Sequence, residues 1–207
     1  MPAVRSQLLD TIRDAYPETF KGLTPSMPLG ESVFSGPTPH PNAVLNLLVQ
    51  QKLISALPMA YYMASRRGVN SLMGRHLPRS STLSPGVLQS AIEGLMALRE
   101  LELNETHHLV FGSKGSNPCS TSNCPSCAPT GPGALEAYRK VFEHVVGSSQ
   151  FGTRVLQVPE FYGDRGGELR CVSPGICASC VERWESGHAD LRKKAWAMLP
   201  GVFGLKG

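Results

Sequence analysis

The chain reads as mainly α-helical, an irregular helical domain with a cysteine-stapled C-terminal subdomain, and three observations predict this. Apolar residues recur at steps of three and four in several segments, which is the helical period. Glycine and proline are frequent, 21 and 17 of 207 residues, and they break those segments into separate helices rather than one long rod. Six cysteines fall in two tight clusters, each closing on a Cys-x-x-Cys step, the first of them in a stretch that cannot build a core of its own.

The elements follow in order. Val4, Leu8, Ile12 and Tyr16 share one stripe of an amphipathic first helix, which Pro17 stops. Residues 21–41 form a loop rich in Pro, Gly and Ser. Pro41 suits the first turn of a second helix in which Val44, Leu45, Leu47, Leu48 and Val49 are apolar, while Asn46 and Gln50 mark the wet side. A short step at Ser55 leads to a third helix from Pro58, antiparallel to the second. Residues 66–83 read as a basic, polar connection. Ser84-Pro85 is an N-cap followed by proline at N1, and Leu88, Ile92 and Leu95 continue at helical spacing. Residues 107–111 either prolong that helix or form a short extended piece. After Gly131-Pro132, Leu135, Tyr138, Phe142 and Val145 define another helix, and residues 155–158 suggest a short strand. The last helix opens at the second Cys-x-x-Cys and runs to Leu199, with Pro200 beyond it. Its stripe is Cys180, Trp184, His188, Leu191, Ala195 and Met198.

Composition narrows the class. The length fits one domain, or one domain with an appendage. The net charge of +4 comes from dispersed residues such as Arg66, Arg67, Arg75 and Arg79, so charge lends little support to nucleic-acid binding. The start, MPAVRSQLLDTIRD, is charged where a secretory leader is apolar, and the weakly polar run 54–64 falls far short of the roughly 20 residues that span a bilayer. The expectation is an intracellular protein, of cytoplasm or nucleus, without a membrane partner. In a reducing compartment six cysteines read as metal ligands or buried thiols before disulfides.

The cysteines carry the main chemical signal. Cys119, Cys124 and Cys127 lie in CSTSNCPSC, and Cys171, Cys177 and Cys180 in CVSPGICASC. Zinc accepts four thiolates tetrahedrally, and each Cys-x-x-Cys lets two sulfurs of one turn reach a single ion. Cys124, Cys127, Cys177 and Cys180 have that pattern, with Cys119 able to replace Cys124 or Cys127, and Cys171 outside the set. A helix N-terminus at Cys177 and Cys180 favours thiolate through its dipole and free N–H groups. The first cluster, set among Ser, Asn, Pro and Gly, would have no order of its own without such a staple. Thiols without metal, a redox dithiol and disulfides stand as the alternatives.

The other candidates read as structural. His188 lies on the apolar face of the last helix, a core histidine before a metal ligand. His107 and His108 are adjacent and point in different directions on a helix. Trp184 and Trp196 are core anchors, and Arg66-Arg67 is a solvated face. Phosphate-loop, zinc-protease, hydrolase-elbow and dinucleotide motifs are absent, and Glu31, Glu93, Glu100, Glu102, Glu105, Glu160 and Asp164 form no acid/base pair. A zinc closed by four sulfurs leaves no place for an activated water. The expectation is no catalytic residue.

Two segments carry a resemblance. The tail ERWESGHADLRKKAWAMLPGVFGL, preceded by ICASC, resembles the C-terminal region of BTB/POZ-domain proteins of mushroom-forming fungi, in which a Cys-x-x-Cys opens a helix ending in W-x-x-L-P-x-x-F-G-L. Those positions here are Cys177, Cys180, Trp196, Leu199, Pro200, Phe203, Gly204 and Leu205. The segment HPNAVLNLLVQQKLISALPMAYY resembles the helix pair that follows the BTB fold in that family. An upstream cysteine group is also typical, and Cys119 with Cys124 matches it better than Cys127. The BTB fold itself is absent, and VRSQLLDTIRDAYPETF is similar to the last helix beside it, so the resemblance implies a missing or partner domain at the first helix.

These readings converge on residues 1–112 as the helical region similar to the post-BTB segment and 113–207 as the cysteine-bearing subdomain, packed on it or continuous with it. The expected function is a non-catalytic protein-interaction or scaffold module, stabilised by structural zinc and binding a protein partner. The alternatives are a nucleic-acid-associated zinc-knuckle protein, and a thiol-dependent enzyme in which His188 is the plausible neighbour of a cysteine.

Overall fold

A computed structural model describes residues 10–12, 16, 19, 40–66, 68–74, 81–111, 155–156 and 178–205, with the backbone alone at 110–111 and 178–181. The described residues are mostly helical and contain no strand. The helices with defined bounds among the described residues are α1 (Pro41–Gln50), α2 (Leu57–Ser65), α3 (Val69–Met73), α4 (Pro85–Phe111) and α5 (Ala178–Val202), with a 3-10 turn at Ile54–Ala56; residues 10–12 are also helical. No helix among them is long and apolar enough to cross a membrane. The expected helix around residues 135–145 lies outside the described residues.

Two compact units divide the chain. One comprises Met1–Leu98, Phe151–Thr153 and Trp196–Gly207; the other comprises Arg99–Gln150 and Arg154–Ala195.

In the first unit α1 starts where Pro41 removes an N–H that would have no helical partner, and His40 caps it with its ring. Its end is a Schellman closure: Lys52 N–H donates to Val49 O and Leu53 N–H to Leu48 O. That geometry puts Lys52 at φ 53, the left-handed region glycine usually fills. α2 packs on α1 and is buried nearly all round, from Leu57 through Ser65 with Pro58 the half-buried exception. A helix apolar on every side is an interior helix, and here it forms the centre of the unit. Asn46 is half-buried rather than wet, and its Nδ2 donates to Thr82 O at 2.9 Å.

The 66–83 connection is not simply a loop. It contains α3, bracketed by Gly68 (φ 81) and Gly74 (φ 62), and packed on α2. Leu72 is fully buried, and the Ser71 and Leu72 carbonyls both accept from Asn42 Nδ2. Five residues are too few for a periodic signal, so tertiary hydrogen bonds rather than propensity decide this helix.

The α4 segment of this unit buries Ala91, Leu95 and Leu98, and Ser65 Oγ donates to Ala91 O. Gly94 faces Phe203 so closely that a Cβ there would stand 2.1 Å from the Phe203 ring. Phe203 in turn stacks on Tyr61, with ring centroids 5.0 Å apart. Burial pushes the Tyr61 hydroxyl above its ordinary range, opposed by a hydrogen bond to Ser90.

Phe203 explains why α5 does not stop at Leu199. It continues through Pro200 to Val202 and closes as a second Schellman motif: Gly204 N–H to Gly201 O and Leu205 N–H to Pro200 O, with Gly204 at φ 67. The proline sacrifices one helical bond in the last turn, while the packed aromatic holds that turn in place.

The N-terminal stripe is described at two of its four positions. Ile12 and Tyr16 are buried within this unit and joined by a Tyr16 N–H to Ile12 O bond, so that part of the stripe is covered by the chain itself.

The second unit has a different interior. α4 runs on to Phe111, which settles residues 107–111 as helix. Glu105 pairs with Lys194, while Leu109 meets Trp184 and Gly187, so α4 and α5 run antiparallel here. The expected strand at 155–158 is described at Val155 and Leu156, which form a buried turn instead. Leu156 O accepts from Arg192 Nε at 2.9 Å, so a side chain satisfies the carbonyl that a sheet ladder would otherwise need to.

Candidate functional site

The polar residues that α4 and α5 bury in the second unit, and the cysteine step that opens α5, make up the candidate site. The α4 stripe that buries Ala91, Leu95 and Leu98 continues at the same spacing into Glu102 and Thr106, each about 1% exposed. Glu102 accepts from Arg99 Nη1 at 2.9 Å, so the buried carboxylate is paired on its own helix. Thr106 Oγ1 is buried without a hydrogen-bond partner.

α5 supplies Trp184, His188, Leu191, Arg192 and Ala195, all buried. From Trp184 to Ala195 the expected stripe holds, after which Leu199 takes the buried position and Met198 is half-buried. Trp184 is the core anchor that its size predicts, and its Nε1 donates to Leu109 O at 3.0 Å. Trp196 is half-buried. His188 is a core histidine: burial, reinforced by the Arg192 charge, lowers its pKa from 6.5 to about 4. It is therefore neutral at pH 7, and its interior position requires that. Two nitrogens of Arg183, Nε and Nη2, are buried without a hydrogen-bond partner. Arg183 follows Cys180 by three residues, close to one helical turn.

Of the six cysteines, only the backbone of Cys180 is among the described residues. Cys180 is the third residue of α5, hence in its first turn, where free N–H groups and the positive helix end favour a thiolate. Its side chain, and all of Cys119, Cys124, Cys127, Cys171 and Cys177, lie outside the described residues. The backbone of Cys180 lies in the first turn of α5, a position that favours a thiolate. Among the described residues no three His, Cys, Asp or Glu side chains group as metal ligands.

The remaining candidates separate from one another. His107 and His108 are both exposed, with ring centroids 6.0 Å apart and planes nearly perpendicular. Arg66 is half-buried, with Nη1 4.0 Å from Met63 Sδ, and Arg67 lies outside the described residues. Among the carboxylates, Glu93 accepts from Gln89, Glu105 from Lys194, and Glu100 is exposed. Glu31, Glu160 and Asp164 lie outside the description.

Sequence reasoning placed Glu102 only among the scattered carboxylates and passed over Thr106, Arg183 and Arg192. Glu102 and Thr106 had a readable signal, since they extend the apolar stripe from Leu95 and Leu98 at the same spacing. Arg192 stands at i+4 from His188 and Arg183 next to Trp184, and no pattern in the sequence distinguishes them from solvated arginines.

Comparison with family models, with characterised proteins and with solved structures gives no match to this chain.

Proposed function

We propose that this chain is a non-catalytic protein-interaction module, akin to the C-terminal region of fungal BTB/POZ proteins, whose cysteine segments are closed by structural zinc inside the cell. One observation carries the reading: two distant Cys-x-x-Cys steps, the second opening a long helix with Cys180 in its first turn. Cys177 and Cys180 would supply two thiolates, and two of Cys119, Cys124 and Cys127 the others. The ion would contribute a cross-link between segments, and a shell filled by four sulfurs offers no open coordination position for a substrate. The positive helix end would offset the negative charge of the thiolates.

The test is zinc analysis of the purified chain, with thiol titration before and after chelation. The expected result is one zinc per chain and about four thiols that react only after the metal is removed. Six thiols that react at once in a metal-free, folded protein would overturn the staple. Binding to single- or double-stranded nucleic acid that weakens steeply with salt would replace the protein-interaction reading with the nucleic-acid one.

A further inference from the structure

The outward face of α4 carries a pattern that the fold does not use. α4 buries Ala91, Leu95, Leu98, Glu102 and Thr106 on one side. Glu93, Met96, Glu100 and Leu103, at steps of three, four and three, lie on the other, and all four are exposed. Met96 is 67% exposed and Leu103 37%. Two apolar side chains thus stand one heptad apart on a face that runs about 15 Å along the helix. An outward helical face ordinarily balances its carboxylates with lysine or arginine three or four residues away. α4 does not. Its one arginine, Arg99, pairs with the buried Glu102, and Glu105 takes Lys194 of α5. Glu93 accepts from the Gln89 amide, and among the described residues neither Glu93 nor Glu100 meets a cation.

The face is acidic and apolar by turns, the pattern of a two-helix seam with carboxylates at one of its two repeating positions. A second copy of this chain matches it poorly. Parallel α4 helices would set Glu93 and Glu100 against their own counterparts, and antiparallel ones would press them on Met96 and Leu103, with no cation in either case. A lysine or arginine opposite each glutamate, with large apolar residues between, satisfies both kinds of position. We propose, on the protein-interaction reading above, that this face of α4 docks a basic amphipathic helix of a partner protein. The partner's apolar residues cover Met96 and Leu103, and its cations pair with Glu93 and Glu100. The apolar contact supplies affinity, and the charges set the choice of partner.

Anisotropy titrations of the full chain against two labelled helical peptides test this. Each peptide has three heptads with leucine at one seam position; the other position is lysine in the first peptide and glutamate in the second. The lysine peptide is expected to bind about tenfold more tightly at low salt, although the chain's net charge of +4 favours the glutamate peptide everywhere else. Glu93→Lys with Glu100→Lys should invert that preference, and Met96→Gln with Leu103→Gln should weaken the lysine peptide by about tenfold. Glu182→Lys with Glu185→Lys, which reverses two exposed charges on α5, should leave the preference as it is. Equal affinity for the two peptides would overturn the docking face. So would a preference that survives reversal at positions 93 and 100, that is lost as fully by reversal at 182 and 185, or that ignores the loss of Met96 and Leu103. A dimer of the chain that Met96→Gln with Leu103→Gln dissociates would overturn it too, since a second copy would then occupy the face. A zinc-loaded chain that binds neither peptide removes this face and leaves the interaction module standing, whereas salt-sensitive nucleic-acid binding with neither peptide bound removes both.

Discussion

His188 is 4% exposed and neutral at pH 7, and this single residue makes the stability of the fold depend on pH. The unfolded chain takes up the proton near pH 6.5, whereas the folded chain resists it until about pH 4. The stability from the neutral imidazole is therefore fully present above 6.5 and falls away between 6.5 and 4, by ~3 kcal/mol over that window. Urea unfolding at pH 7 and pH 4.5 checks this, and His188→Gln should flatten the difference without flattening the contribution of the carboxylates. Arg192 works differently, because its Nε satisfies the buried Leu156 carbonyl. Arg192→Met removes that buried hydrogen bond and is expected to cost about 1–3 kcal/mol, read as a lower urea midpoint with an unchanged slope. At this scale the sequence reading placed Trp184 and His188 correctly, because size and stripe position follow from spacing. It had no means to find the Arg192 bond, whose partner is 36 residues away.

Two glycines separate packing that yields from packing that does not. A Cβ at Gly94 would stand 2.1 Å from the Phe203 ring, and that ring is already stacked on Tyr61. Gly94→Ala is expected to destabilise by about 1–3 kcal/mol despite the better helix propensity of alanine. A Cβ at Gly187 meets the far end of the Leu109 side chain, which can turn aside. Gly187→Ala should stay within ~1 kcal/mol of the wild type, since the propensity gain offsets that small shift. Thermal melts of the two variants, followed by tryptophan fluorescence, compare them directly. The helix ends show how much of an element is legible. Gly204 announces the closure of α5, whereas the closure of α1 uses Lys52 at φ 53, which no sequence rule anticipates. Lys52→Gly is expected to raise stability by about 0.5–1 kcal/mol by removing the left-handed strain.

For the molecule as a whole, the proposed staple predicts a graded response to cysteine loss. Cys177→Ser and Cys180→Ser should each abolish zinc retention and lower the melting temperature as far as chelation does, while Cys171→Ser should leave both unchanged. Calorimetry with metal analysis reads both quantities in one preparation, and a Cys171 variant that loses zinc would remove Cys171 from the spectator role. The sequence by itself determined the helical class, the starts of α1 and α4 at prolines, the spacing of the α5 stripe and the opening of α5 beside Cys177 and Cys180. These follow from the backbone period, from the missing proline N–H and from turn residues, all local in the chain. Only the tertiary structure decided the existence of α3, the extension of α5 through Pro200, the buried turn at Val155 and Leu156, and the interior places of Glu102 and Arg192. Each depends on a partner distant in sequence: Asn42 for α3, Gly94 and Tyr61 for Phe203, Leu156 for Arg192. Local propensities are worth tenths of a kcal/mol per residue, and one buried ring or satisfied carbonyl outweighs several of them.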